Sequence, residues 1–121
     1  MQHLELPDYP YWALREYVCN ALIHRNYENT AAPVRVDWYE DRVEITSPGG
    51  LYGHVTKDNF RQMNDYRNEL LAVAAKVMGW VEKAGQGIAR AERLLAENGN
   101  PAPEYDFQPE YVLVTVRRRP I

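Results

Sequence analysis

Apolar residues in this chain recur with two different periods, and the points where one period gives way to the other restrict the folds open to it. Over residues 11–25 (YWALREYVCNALIHR), just after Pro10, Leu14, Val18, Ala21 and Leu22 lie three, four or one apart, the spacing of one helical face. Val34, Val36 and Trp38 then alternate with Arg35, Asp37 and Tyr39, and beyond Glu40-Asp41 the alternation resumes with Val43 and Ile45. A period of two on both sides of a two-residue turn predicts a β-hairpin. Ser47-Pro48-Gly49-Gly50 breaks the second strand, and residues 56–62 are expected as a short helix capped by Thr56.

Helical spacing returns after Asn68, an expected N-cap, with Leu70, Leu71, Ala74, Val77, Met78 and Val81, and predicts a helix to about Gly79 or Val81. A further helix opens near Gly85-Gln86-Gly87, carries Ile88, Ala91, Leu94 and Leu95, and stops at Asn98-Gly99 ahead of Pro101 and Pro103. Period two reappears over Tyr105–Phe107 and Tyr111–Val116, a second hairpin. The order helix, hairpin, helices, hairpin implies an α+β two-layer sandwich, with a mostly antiparallel or mixed sheet covered on one face by helices. No repeat or linker interrupts residues 1–121, so one domain is expected.

Charge narrows the function classes. Fourteen Lys and Arg against 17 Asp and Glu leave a net charge of −3, which argues against a module that grips bare phosphate backbone. Arg117-Arg118-Arg119 reads as a solvated tail or the start of a linker. Cys19 is the one cysteine, and no apolar run of 18 residues or signal-peptide pattern occurs, so a soluble, cytoplasmic chain with no membrane partner is expected. A Cys-rich zinc site is excluded, whereas a magnesium site built from oxygen ligands stays open.

Three features could carry chemistry. Glu16, Asn20 and His24 are spaced i, i+4, i+8 and form one polar stripe, roughly opposite Leu14, Val18 and Ala21. Such a stripe either faces water or presents a carboxylate and a carboxamide to a bound ion; His24 either contacts phosphate or is an ordinary cleft histidine. Gly49-Gly50, directly after a strand, either lets backbone approach a flat ligand or turns a corner. Gly85-x-Gly87 before a helix exposes backbone N–H groups suited to phosphate, or serves the loop alone. The tryptophans and most tyrosines read as core and rim packing.

The residues Ala13–Tyr27, Val43–Leu51 and Glu82–Ile88 together resemble the C-terminal domain of bacterial RecG-related ATP-dependent DNA helicases or transcriptional regulators. That domain is similar to GHKL ATPases, the Bergerat fold of gyrase B, heat-shock chaperones, histidine kinases and MutL. The resemblance spans about Leu6 to Val116 and implies an ATP-binding domain that uses Mg²⁺. It assigns Asn20 to the metal, Glu16 to the water that attacks ATP, Ser47, Gly49 and Gly50 to the base end, and Gly85 and Gly87 to the phosphates, with His24 nearby. Two departures are visible. Ser47 stands where the superfamily's D-x-G-x-G box has an adenine-reading Asp, and the apolar helix after Asn68 leaves little chain for a lid. No G-x-x-x-x-G-K-[ST] loop occurs, so the domain is not a helicase by itself. The expected partners are a nucleotide, DNA only indirectly through other domains of a longer regulatory protein, and a second copy in a homo-oligomer. The alternative is a non-catalytic interaction module that has lost nucleotide binding.

Overall fold

The hairpins and helices follow the periods closely. The computed structural model describes residues 6–28, 32–53, 55–60, 68–79 and 87–120. Helix α1 (Tyr11–His24) is followed by strands β1 (Arg35–Trp38) and β2 (Arg42–Pro48), helices α2 (Glu69–Val77) and α3 (Gly87–Glu97), and strands β3 (Glu104–Phe107) and β4 (Tyr111–Arg117). The four strands form one sheet in the order β1-β2-β4-β3, with every neighbouring pair antiparallel. The Tyr39 amide donates to the Arg42 carbonyl at 2.8 Å and closes the first hairpin around Glu40-Asp41. Trp38 therefore pairs with Val43 and Val36 with Ile45. A slip of one residue would turn Val43 and Ile45 out of the core, so burial holds this register.

The α+β sandwich has its helices on one face. Val43 and Ile45 of β2 and Val116 of β4 pack with Ala13, Tyr17 and Ala21 of α1 and with Ala91 and Leu95 of α3. Ile45, Leu95, Val43 and Val116 are the largest fully buried side chains, each contributing about 1.5–3 kcal/mol by leaving water. Ala13 and Ala91, with no exposed surface, let α1 and α3 approach closely. The opposite face of the sheet is polar. There Arg42 pairs with Glu44 at 2.7 Å and Arg117 with Glu104 at 3.1 Å.

Several expectations are corrected. Residues 57–60 form a turn, not the start of a helix. The Thr56 hydroxyl accepts from the Asp58 amide at 3.3 Å while the Thr56 amide donates to Asn59 Oδ1 at 2.6 Å; residues 61 and 62 lie outside the described residues. Asn68 stands at the N-cap position of α2 but makes no side-chain capping bond. Its Nδ2 donates instead to the carbonyls of Ile23 and Arg25, both at 2.7 Å, and so satisfies orphan acceptors at the end of α1. Helix α2 ends at Val77, and its inward contact is Ala75, while Leu70, Val73, Val77 and Met78 are exposed. The expected apolar face is thus turned outward.

The arginine triplet is no free tail. Arg117 belongs to β4, the Arg118 amide donates to the Asp41 carbonyl at 2.9 Å, and the Arg118 side chain lies 3.3 Å from Asp8. Asn98 and Asn100, both buried, bind the carbonyls of Pro7 and Asp8 at 2.8 Å and hold the segment before α1 against the end of α3.

Candidate functional site

The direction in which α1 faces decides the site. At about 100° per residue, Ala13, Tyr17 and Ala21 span roughly 80° of the helix, and Glu16, Asn20 and His24 fall within the same arc of about 140°. Ala13, Tyr17 and Ala21 are buried, and so are Glu16 and Ile23. The polar stripe therefore looks into the molecule. The expectation that it lies opposite the core is corrected: Leu14 and Val18 are only the partly buried flank, because α1 has α3 on one side and the sheet on the other.

Between α1 and the sheet lies a cavity of about 100 Å³. Asn20 and His24 reach its wall from α1, and Ser47, Gly49 and Gly50 reach it from β2 and the turn beyond. Five of the eight residues assigned by the resemblance thus converge. Aromatic rings supply much of the remaining wall: Tyr17, Tyr52, Phe60, Tyr105 and Phe107. Phe60 meets Tyr105 and Phe107 edge-on, with centroids 4.8 and 4.7 Å apart. The volume is near that of a cavity that takes one benzene-sized ring and below the several hundred Å³ of a whole ligand cleft. Only a ring-sized end of a longer ligand would fit inside.

The polar atoms at this cavity are held firmly. Ser47 Oγ, buried, donates to the Ala21 carbonyl at 2.7 Å and leaves its lone pairs as the group's remaining capacity. The hydroxyls of Tyr17 and Tyr105 share a hydrogen bond of 2.5 Å, and Tyr105 donates to Glu92 Oε2 at 3.1 Å. Burial, then the neighbouring Tyr17 and Glu92, push the Tyr105 hydroxyl well above the ordinary tyrosine range. The phenol is neutral at any physiological pH.

Glu16 sits apart from the cavity wall, at the amino end of α3. A Cβ placed on Gly87 would lie 3.2 Å from Glu16 Cδ and closer still to Oε2. Glu16 Oε1 is 3.8 Å from Arg90 Nη1, and the Glu16 side chain is 6% exposed. A helix amino terminus favours negative charge, so the carboxylate suits the place it occupies. Ile88, the next residue of α3, does line the cavity, so the Glu16–Gly87 contact adjoins it. Gly85 lies outside the described residues.

The glycines after β2 have a structural requirement of their own. Gly49 has φ +94° and its amide donates to the Glu110 carbonyl at 2.7 Å. A Cβ on Gly50 would lie 2.8 Å from the Gln108 carbonyl oxygen and 2.9 Å from that of Pro109. Both residues turn the chain against the β3–β4 turn while also lining the cavity.

The model of a family described as putative ATP-dependent DNA helicase RecG C-terminal matches residues 31–116. The chain belongs to this family. It is an ATPase-like domain of the helicase-related kind. Among solved structures it is similar to the DIP2311 protein from Corynebacterium diphtheriae, with a TM-score of 0.84 and 30% identity over 97% of this chain and 25% of that one. The chain spans about a quarter of that protein's length. No curated protein matches it.

For this family member, a bound cation is compatible with the donor set. Among the described residues no group of three or more His, Cys, Asp and Glu could hold a metal. Magnesium commonly takes one or two protein oxygens and fills its octahedron with phosphate and water, and the Asn20 carboxamide oxygen is a ligand of that type. Among the described residues no helix is long and apolar enough to cross a membrane. Cys19 is half-buried, and burial raises its thiol pKa against the lowering effect of Arg15. Sequence reasoning missed the aromatic wall and Glu92. The alternation of Tyr105 and Phe107 was the available signal, since two aromatics two apart on a strand share a face.

Proposed function

We propose that the domain binds ATP with Mg²⁺, the adenine entering the cavity beneath α1 and the phosphates running toward the amino end of α3 at Gly87. The carrying observation is the convergence of Asn20, His24, Ser47, Gly49 and Gly50 on one aromatic-walled cavity that Ile88 joins to α3. In this reading Asn20 would hold the metal through its carboxamide oxygen, and Mg²⁺, when bound, would supply positive charge to the phosphates. Ser47 and the Tyr17–Tyr105 pair face the edge of the ring. Gly87 offers its backbone N–H to phosphate, as does Gly85 by family resemblance. Glu16 orients the attacking water, and turnover is slow because its carboxylate is buried and held near Arg90.

Calorimetric titration of the chain with ATP tests this. Saturable heat that requires Mg²⁺ and is lost on Asn20→Ala is expected, and no heat at millimolar nucleotide would overturn it. A second reading, a regulatory interaction module without nucleotide, is favoured by the exposed Leu70, Val73 and Val77 on α2. It expects Asn20→Ala to leave the parent protein's activity unchanged, while a charge at Val73 disrupts assembly.

A further inference from the structure

The sheet has two open edges, and only one of them is fit to pair with itself. In the first hairpin the Tyr39 amide bonds the Arg42 carbonyl, so the hydrogen-bonded pairs of the antiparallel ladder fall at Asp37–Glu44 and Arg35–Thr46. The backbone amides and carbonyls of Val34, Val36 and Trp38 therefore point away from β2, and among the described residues no strand pairs with that side of β1. Such an edge is a template for another strand, and β1 carries neither Lys nor Pro nor a bulge to blunt it. Its helix-side face is apolar and open: Val36 is 46% and Trp38 64% exposed, with the Trp38 ring edge-on to Tyr9 at 5.3 Å. Its other face carries Arg35 and Asp37, 3.3 Å apart.

We propose that β1 pairs antiparallel with β1 of a second copy of this chain about a two-fold axis at Val36, joining two sheets into one. Charge selects both the occupant and the register. With the axis at Val36, Arg35 of each copy stands opposite Asp37 of the other, at the non-hydrogen-bonded positions where side chains come closest. An axis at residue 35 or 37 would instead set Arg35 or Asp37 against itself. On the helix side the same register sets Val36 against Val36 and Trp38 against Val34, favourable pairs of β-branched and aromatic side chains. The other edge has no such match: β3 carries Glu104 and Asp106 on one face, and antiparallel self-pairing sets acid against acid. The helices leave room for the contact. Helix α1 packs on β2, and the two β2 strands would stand three strand spacings apart, about 14 Å, whereas packed helices need about 8–10 Å. No residue of β1 lines the cavity beneath α1, so the contact does not depend on the nucleotide reading.

Sedimentation velocity of the whole chain at low ionic strength tests this over a series from about 5 to 500 μM, because one short strand from each copy makes a small and weak interface. A concentration-dependent dimer is expected. Arg35→Asp leaves two acids on the strand and Asp37→Arg two bases, so each is expected to weaken self-association at least about tenfold. An equimolar mixture of the two variants restores opposite charges only between unlike chains, and a heterodimer of nearly parental affinity is expected. Circular dichroism checks the fold of each variant. Should either single variant unfold, the double variant Arg35→Asp with Asp37→Arg decides, since it keeps the match and is expected to dimerise like the parent. A chain that stays monomeric throughout would overturn the proposal, as would a dimer that both charge reversals leave intact, or a mixture or double variant that stays monomeric. A dimer dispersed by Val73→Glu and not by reversal on β1 would assign the contact to α2 and overturn it equally.

Discussion

Gly87→Ala is expected to destabilise the domain even though alanine is the better helix former. Gly87 opens α3, and it is not among the described glycines with positive φ, which are Gly49, Gly53, Gly79 and Gly99. Backbone conformation therefore permits alanine there. Helix propensity alone would favour the change by up to about 1 kcal/mol. Opposing it, the added methyl would enter the space of the Glu16 carboxylate, 3.2 Å from Cδ and nearer to Oε2. That carboxylate cannot swing freely into water: its side chain is 6% exposed, and withdrawing it would separate it from Arg90, 3.8 Å away. Overpacking of this kind costs about 1–3 kcal/mol, and weakening the ion pair adds to it, so the net loss is expected near 1–3 kcal/mol.

A four-variant urea-denaturation cycle isolates the cause. In a Glu16→Ala background the obstruction is removed, and Gly87→Ala should become neutral or stabilising, giving a coupling of about 1–4 kcal/mol between the two sites. Equal cost in both backgrounds would refute the argument, as would a Gly87→Ala chain more stable than the parent. Either result would mean that the Glu16 carboxylate does not lie against the start of α3.

Other perturbations test the remaining walls of the cavity. Ser47→Ala leaves the Ala21 carbonyl without its 2.7 Å donor in a buried place and should lower unfolding free energy by about 1–3 kcal/mol in urea titration. Gly50→Ala would press a methyl to 2.8 and 2.9 Å from two backbone carbonyl oxygens of the β3–β4 turn, which cannot rotate away, and should cost at least about 2 kcal/mol by the same assay. Tyr105 carries a pH signature. Its folded-state pKa is raised above the unfolded value of about 10, so the contribution is complete below pH 10 and is lost as pH rises beyond it, when the unfolded chain ionises first. Thermal midpoints between pH 8 and 11 should fall above pH 10, and Tyr105→Phe should flatten that fall.

Much of this architecture was legible in the order of residues. Alternation in 34–38 and 43–45 predicted the first hairpin because a register slip would expose Val43 and Ile45, and the sheet pairs them with Val116 and Val114 as that logic requires. Asn98-Gly99 ended α3 on schedule, since the local backbone alone sets such a stop. The family, too, was readable: the match over residues 31–116 takes in Val43–Leu51 and Glu82–Ile88, while Ala13–Tyr27 lies outside it. Asn68 shows where local reasoning fails. It keeps the N-cap position, but its side chain goes to two carbonyls at the end of α1, partners that no neighbouring residue could reveal.

The sequence by itself determined the α+β class, the family and the positions of the strands and main helices, because periodicity and turn chemistry act over a few residues. Only the tertiary structure decided which way α1 faces, that Glu16 lies against Gly87 while Asn20, His24 and Ser47 line one cavity, and that Tyr105 bonds Glu92 and Tyr17. The physical reason is that packing two helices and a sheet together buries a wider arc of α1 than its apolar stripe defines, and the polar groups caught in that arc take partners far along the chain.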